Sequence, residues 1–134
     1  MSDFVEARVT DALLNRLQDV DEVVRASAVR ALRSRHESRV VEALVAVLRD
    51  PGARVRRQAM LALATLRDRR AFDPLRELLT DSDEGARMSA VQALGALGDP
   101  RAHELLAGLL AETGNTSLRC AAISSLASLG GDAT

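Results

Sequence analysis

Apolar and polar positions follow one another along this chain with the spacing of helices rather than of strands. Apolar residues recur at i, i+3, i+4 and i+7 in eight successive segments, which is the period of one buried helix face. Short stretches rich in Asp, Gly, Asn or Pro separate the segments and supply helix caps and breaks. The pattern predicts helices at residues 4–18, 21–34, 38–49, 53–67, 71–80, 84–97, 101–112 and 116–129.

The eight segments form four repeats, because the sequence matches itself at a spacing of 31 residues, or 32 before the last repeat. Each second helix carries an apolar residue, Arg, two variable residues, Ala and, four residues later, Leu; the pattern begins at Val24, Val55, Ala86 and Leu118. One helix pair cannot bury its own apolar face, so neighbouring pairs must stack. We predict one all-α domain of four antiparallel helix pairs, with units at about 4–35, 36–67, 68–98 and 99–130.

Composition agrees with stacked helices and narrows the classes of function. Only Phe4 and Phe72 are aromatic and Ile occurs once, which disfavours a sheet core. All 18 basic residues are Arg and the formal net charge is −1, so we expect no nucleic-acid or membrane partner. Residues 1–67 carry 12 Arg against nine acids, and residues 68–134 carry six against ten. We interpret this polarity as surface variation, although it would also favour head-to-tail contacts.

The repeated residues resemble the HEAT-like repeats of phycobilisome lyases. That family has a period near 31 and an Asp at the turn between helices, then a Val-Arg-x-x-Ala-Ala-x-Ala-Leu-Gly segment. Val29, Met60 and Val91 replace the second Ala, and only the third repeat keeps the Gly after Leu. The resemblance covers about residues 4–130 and implies a right-handed α-solenoid. The matching residues are Asp50, Val55, Arg56 and Ala59 in one repeat, and Asp81, Arg87, Ala90, Ala93, Leu94 and Gly95 in the next.

The same resemblance implies that the second helices line a concave face. Variable positions beside the repeated Arg are then expected to point outward, Val23, Ala26 and Ala121 among them. We predict that this face binds an acidic or polar segment of another protein, because Arg recognises carboxylates in bidentate geometry. The alternative is that these Arg side chains are merely solvated. The candidate partner-binding residues are Arg30, Arg54, Arg57, Gln58, Leu61, Met88 and Gln92, with Arg54 and Arg57 as anchors.

A second set of Arg side chains recurs in every repeat and is interpreted as framework. The resemblance suggests that this Arg and the turn Asp form a ladder of hydrogen bonds between stacked repeats. A residue present in every unit serves the repeat, whereas a binding site is usually local. The framework set is Arg25, Arg56, Arg87 and Arg119.

Catalytic interpretations find little support in the sequence. Deoxyhypusine hydroxylase, an enzyme of related architecture, holds iron with His-Glu pairs at equivalent helix positions. Here His36 and His103 lie 67 residues apart, at different points of the repeat, and neither follows the framework Arg. Cys120 has no nearby base to activate it, and the lack of Trp and Tyr argues against stacking on nucleic-acid bases. We predict no catalytic residue, no metal and no cofactor.

The predicted function is therefore a non-catalytic scaffold or adaptor for another protein. The alternative is an accessory lyase-like or chaperone-like factor that acts on a modified or cofactor-bearing partner. The single cysteine, and an N-terminal stretch with acids but no apolar run, predict the cytoplasm. The serine-rich last helix either caps the solenoid or pairs with a second copy, so we expect a monomer or a weak dimer through that helix.

Overall fold

The computed structural model describes the backbone of residues 2–132 and the side chains of residues 4–129. In this range the chain is all-α, with eight α-helices and no strand, and the predicted fold class is confirmed. No helix in the range is both long and apolar enough to span a bilayer. The helices are α1 (Ser2–Arg16), α2 (Glu22–Leu32), α3 (Ser38–Val47), α4 (Ala53–Leu66), α5 (Phe72–Glu77), α6 (Glu84–Leu97), α7 (Arg101–Glu112) and α8 (Thr116–Asp132).

The fifth helix is shorter than the predicted 71–80. It is flanked by two 3₁₀ turns, Arg69–Ala71 and Leu78–Thr80. The Thr80 hydroxyl donates to the Glu77 carbonyl at 3.1 Å. This side-chain bond offers the carbonyl an alternative to the α-helical partner, and the last turn tightens accordingly.

Asp and Asn side chains begin the second helices, as the turn sequences predict. Asp21 accepts from the Val23 N–H at 2.8 Å, and Asp83 accepts from the Ala86 N–H at the same distance. Asn115 does the same for the Leu118 N–H at 3.1 Å. Each cap satisfies a donor that the first helical turn leaves without an intrahelical partner.

The helices form two compact units, Met1–Leu66 and Arg67–Thr134, here called the N-terminal and C-terminal units. Each unit holds two helix pairs. In the N-terminal unit, α2 packs against α1 and α4, and α3 packs against α4. Its core consists of apolar positions that recur in the repeats, and these positions are fully buried, as the pattern predicts. They are Val29, Leu32, Val40, Leu44, Val55, Met60 and Leu63.

The C-terminal unit brings its second helices, α6 and α8, into close contact. A Cβ placed on Gly95 would lie 2.6 Å from the Cβ of Ser125, so only glycine fits there without movement of a helix. Ser125 is buried, and its hydroxyl donates to the Val91 carbonyl at 3.1 Å. Small side chains thus set the distance between these helices.

Candidate protein-binding surface

The outward face of α4 is the centre of the candidate surface. Helix α4 buries one side of its circumference, including Val55, Ala59 and Met60. The opposite side carries residues 54, 57, 58 and 61, which follow one another at helical spacing and so share a face. Arg54 and Leu61 are exposed, Leu61 by 40%, whereas Arg57 and Gln58 are half-buried.

Positive charge concentrates at the N-terminal end of α4. Arg54 is the second residue of the helix, Arg57 lies one turn later, and the first turn contains no acidic residue. The amino end of a helix carries a partial positive charge of its own, which adds to that of the two guanidinium groups. By contrast, α2 and α6 begin with Glu22 and Glu84. Two carboxylates of neighbouring elements already lie at this end of α4: Asp50 accepts from the Gly52 N–H at 2.8 Å, and the Glu22 carboxyl group lies against Gly52.

The remaining predicted residue of the N-terminal unit lies on α2. Arg30 is exposed and occupies the position that Leu61 has in the following repeat. Val23, earlier on α2, is 54% exposed and was among the positions expected to point outward. The face of α2 and α4 thus offers apolar area between cationic groups.

Met88 and Gln92 belong to the C-terminal unit. They lie four residues apart on α6 and so share one side of that helix, with Met88 half-buried and Gln92 exposed. The candidate residues therefore divide between the two units, five in the N-terminal unit and two in the C-terminal one.

Two of the outward positions were predicted wrongly. Ala26 is only 4% exposed and Ala121 only 7%. A methyl side chain does not project beyond the surface of its own helix, so a closely packed neighbouring helix covers it. Arg57 occupies the position of Ala26 in the next repeat, and its longer side chain remains partly accessible.

Three of the four framework arginines brace the turns of their own repeats, whereas Arg119 is exposed on α8. Arg25, Arg56 and Arg87 each donate from Nη1 to the carbonyl six residues earlier, at 2.8, 2.9 and 2.7 Å. Arg25 also donates two hydrogen bonds to Asp50 in the next repeat, from Nε to Oδ2 at 2.9 Å and from Nη2 to Oδ1 at 3.1 Å. That hydrogen bond raises the pKa of Arg25 above its usual range.

The Arg25–Asp50 pair matches the ladder that the resemblance suggested. Both side chains are largely shielded from solvent. Their donors and acceptors are engaged within the fold, so Arg25 serves the framework rather than recognition.

A second repeated device was missed by sequence reasoning. An acid stands two residues before an Arg at the start of three repeats, and the two side chains bond to each other; we call this device the acid–Arg clasp. In the best-formed clasp, Arg101 donates from Nε and Nη2 to Asp99 at 3.1 and 2.8 Å, and its guanidinium lies 4.1 Å above the Phe72 ring. The available signal was the 31-residue spacing of the acids as well as of the arginines. The clasps are Glu37–Arg39, Asp68–Arg70 and Asp99–Arg101.

The clasps shift the pKa values of their acids downward. The side-chain bond from Arg101 lowers the pKa of Asp99 to about 2, although burial of that carboxyl acts in the opposite direction. Arg70 lowers the pKa of Asp68 in the same way. For Glu37 the largest cause is the hydrogen bond from Thr10, followed by that from Arg39. These carboxylates therefore stay ionised to a lower pH than free carboxylates do.

The residues considered for catalysis lie on the surface of their units. His36 is exposed in the loop before α3, His103 is exposed on α7, and Cys120 is exposed on α8. Among the described residues no group of three or more His, Cys, Asp or Glu side chains is placed to hold a metal ion.

A cleft of about 510 Å³ in the N-terminal unit is lined by Leu14, Leu17, Gln18, Asp19, Arg25, Ala43, Ala46, Val47, Arg49, Asp50 and Pro51.

The HEAT repeats family profile matches residues 10–84 and 43–127, which together cover most of the chain. The chain belongs to the HEAT-repeat family. The match agrees with the helix pairs, the turn Asp residues and the framework arginines of the structure. No curated protein sequence matches the chain.

Solved structures with HEAT or armadillo repeats have the same fold. A chain in the complex of CpcE and CpcF of phycocyanin lyase from Nostoc sp. PCC7120 is 29% identical, with a TM-score of 0.77; the match covers 91% of this chain and 53% of that one. Human deoxyhypusine hydroxylase is 22% identical, with a TM-score of 0.81, over 96% and 46%. A designed armadillo repeat protein is 24% identical, with a TM-score of 0.61, over 93% and 66%. The chain thus spans about half the length of the first two.

Proposed function

We propose that this HEAT-repeat chain is a non-catalytic binding module that takes up an acidic segment of a partner protein on the outward face of α2 and α4. The carrying observation is the placement of Arg54 and Arg57 on the outward side of α4, outside the framework column. Arg54 and Arg57 are the proposed carboxylate anchors, because a guanidinium can donate two parallel hydrogen bonds to one carboxylate.

Apolar contact completes the proposed site. Leu61 and Val23 are exposed on the same two helices, and burying them against a partner removes apolar surface from water. Arg30 adds a third cation and Gln58 a polar group. The fitting ligand is thus an acidic peptide with interspersed aliphatic residues, and the proposed compartment is the cytoplasm. Nucleic acid and membranes are not proposed as partners.

In the C-terminal unit, Met88 and Gln92 on α6 are proposed as partner-binding residues in their own right. The thioether of Met88 adapts its shape to varied apolar groups, and Gln92 can donate to or accept from a partner backbone. These two residues carry no charge, so they are proposed to contact uncharged groups of a partner.

The double variant Arg54→Glu with Arg57→Glu tests the proposal. The probe is a fluorescein-labelled peptide of alternating Glu and Leu, and binding is measured by fluorescence anisotropy at low and at physiological salt. We expect wild-type binding that weakens with salt and is lost in the variant, because the anchors now repel the probe.

The matched control is Arg8→Glu with Arg16→Glu, which changes charge equally at exposed positions of α1. The control should bind the probe nearly as wild type does. Equal loss in both variants would show attraction to net charge alone, and unchanged binding in the α4 variant would place the site elsewhere. Either result would overturn the proposal.

A second candidate function rests on the 29% identity to a chain of the CpcE and CpcF complex of phycocyanin lyase. In this alternative the chain is an accessory lyase-like or chaperone-like factor for a modified or cofactor-bearing protein. The visible absorption spectrum and the metal content of the purified chain distinguish the two. A coloured ligand or stoichiometric metal supports the second candidate, whereas a colourless, metal-free protein that binds the acidic probe supports the first.

A further inference from the structure

The first and last helix pairs expose positions that are fully buried elsewhere in the repeat. Val9 on α1 is 38% exposed, whereas its equivalents one, two and three repeats later are fully buried. Ile123 on α8 is 54% exposed, whereas its equivalents in the three preceding repeats are fully buried. The buried equivalents are Val40, Ala71 and Ala102 for Val9, and Val29, Met60 and Val91 for Ile123.

Contacts inside each unit show what kind of surface covers these positions. In the N-terminal unit, α2 packs against α4 of the following repeat, and Val29 on α2 is buried. In the C-terminal unit, α6 packs against α8 of the following repeat, and the Ser125 hydroxyl bonds to the carbonyl of Val91. The side of a second helix that points towards the next repeat, here called its forward face, is thus covered by that repeat. On α8, that face is the one that carries Ile123.

The side of a first helix that points towards the preceding repeat, here called its backward face, is covered in a similar way. In the N-terminal unit, α1 reaches the start of α3, where Thr10 donates to Glu37 at 3.0 Å and Asp11 pairs with Arg39. Val40, in the first turn of α3, is fully buried there. On α1 the same face carries Val9 beside the exposed Phe4 and Val5, which together line an open cleft of about 360 Å³.

We propose that a second copy of this chain covers these faces. The face of the first helix pair that carries Val9, called the α1 face, stacks on the face of the last helix pair that carries Ile123, called the α8 face. The interface is of the same kind as those that join α2 to α4 and α6 to α8 within each unit, where apolar positions of neighbouring repeats are buried. Charge favours the same arrangement, because the N-terminal unit has 11 Arg against nine acids and the C-terminal unit seven against ten. This contact is heterologous, and it lets copies add head to tail. It is separate from the acidic-peptide site on α2 and α4.

Sedimentation velocity over a range of concentrations tests the proposal with two single variants, Val9→Glu and Ile123→Glu. Both positions are solvent-exposed in one chain, so the variants should fold normally, which circular dichroism checks. Wild type should sediment faster as concentration rises. Each variant alone should stay monomeric, because every contact needs one intact face of each kind.

The equimolar mixture of the two variants is the decisive sample. Val9→Glu keeps the α8 face and Ile123→Glu keeps the α1 face, so together they should form a dimer and nothing larger. Asn15→Glu and Ser124→Glu are the matched controls, since both positions are exposed and neither belongs to the buried columns; they should behave as wild type.

Three outcomes would overturn the proposal. Wild type that stays monomeric at all concentrations would mean that another protein or nothing covers these faces. Dimers of Val9→Glu alone would mean that α8 pairs with α8. A mixture that stays monomeric would rule out head-to-tail pairing. The Arg54→Glu and Arg57→Glu variant should associate as wild type does, so a failure of peptide binding is distinguishable from a failure of stacking.

Discussion

The two units join their helix pairs by different means. In the N-terminal unit, charged and hydroxyl side chains cross between repeats, with Arg25 bonded to Asp50 and Thr10 bonded to Glu37. In the C-terminal unit, α6 and α8 approach so closely that Gly95 touches Ser125. The polar links between its repeats are weaker: a bond from the Ser125 hydroxyl to the Val91 carbonyl and an exposed Arg101–Asp73 pair at 3.9 Å. One repeat template thus supports a polar junction, which should respond to salt and charge, and a small-residue junction, which should respond to side-chain size.

The largest effect should follow from a change of size in the C-terminal unit. Gly95→Val places side-chain atoms where Ser125 already lies, so the helices must separate, and we expect a loss of about 3 kcal/mol in the free energy of unfolding. Urea denaturation measures it. The control is Gly108→Val on α7, where an added Cβ meets nothing within 4 Å; it should change stability by less than about 1 kcal/mol.

Removal of charge from the junction of the N-terminal unit should have the next largest effect. Asp50→Ala deletes the acceptor of two Arg25 bonds and of the Gly52 N–H. We expect a loss of about 2 kcal/mol, as for hydrogen bonds to a shielded charged group. Asp73→Ala, at exposed ion pairs with Arg76 and Arg101, should cost about 0.5 kcal/mol or less. Equal losses in the two variants would remove the distinction between the junctions.

Low pH further tests the comparison of the two units, because the C-terminal unit also contains a charged pair, the Asp99–Arg101 clasp. The folded-state pKa of Asp99 is lowered from 3.8 to about 2. Its stabilisation is therefore present above the unfolded value and is lost as pH falls from about 4 towards 2. After allowance for solvent screening we expect about 1 kcal/mol. Asp99→Asn and Arg101→Ala should both flatten this part of the pH profile of unfolding; a profile unchanged in both would contradict the assignment.

The smallest effect concerns how the second helices end. Arg67 follows α4 with φ of 53°, and Gly98, its equivalent one repeat later, follows α6 with φ of 78°. Glycine adopts this left-handed conformation without strain, so Arg67→Gly should stabilise the protein by about 0.5–1 kcal/mol. Gly98→Ala should destabilise it by a similar amount. A thermal midpoint lowered by Arg67→Gly would show that the Arg67 side chain matters more than its backbone.

Sequence periodicity predicted the helices well because burial itself is periodic in a repeat. The main error, the length of α5, came from a local hydrogen bond of Thr80 that a hydrophobic pattern does not register. The Glu37, Asp68 and Asp99 clasps escaped notice because one acid is Glu and the others are Asp, so the column is not identical.

The candidate surface was predicted less completely than the fold. Which positions lie on the outward side of α4 follows from helical spacing, and Arg54 and Leu61 are exposed as expected. The half-burial of Arg57 and Met88, and the burial of Ala26, depend on how closely neighbouring helices pack. That distance is set by pairs such as Gly95 and Ser125, which sequence reasoning on single columns does not reveal.

The clasps have a consequence for how such a chain can evolve. Each clasp joins an acid and an Arg only two residues apart, so a duplicated or deleted repeat carries both partners with it. No such gene rearrangement leaves the carboxylate of a clasp without its Arg partner. The Arg25–Asp50 pair is different, because its members belong to adjacent repeats. Recombination that preserves the clasps therefore leaves the pairs shared between repeats, such as Arg25–Asp50 and Thr10–Glu37, to be matched at the new boundary.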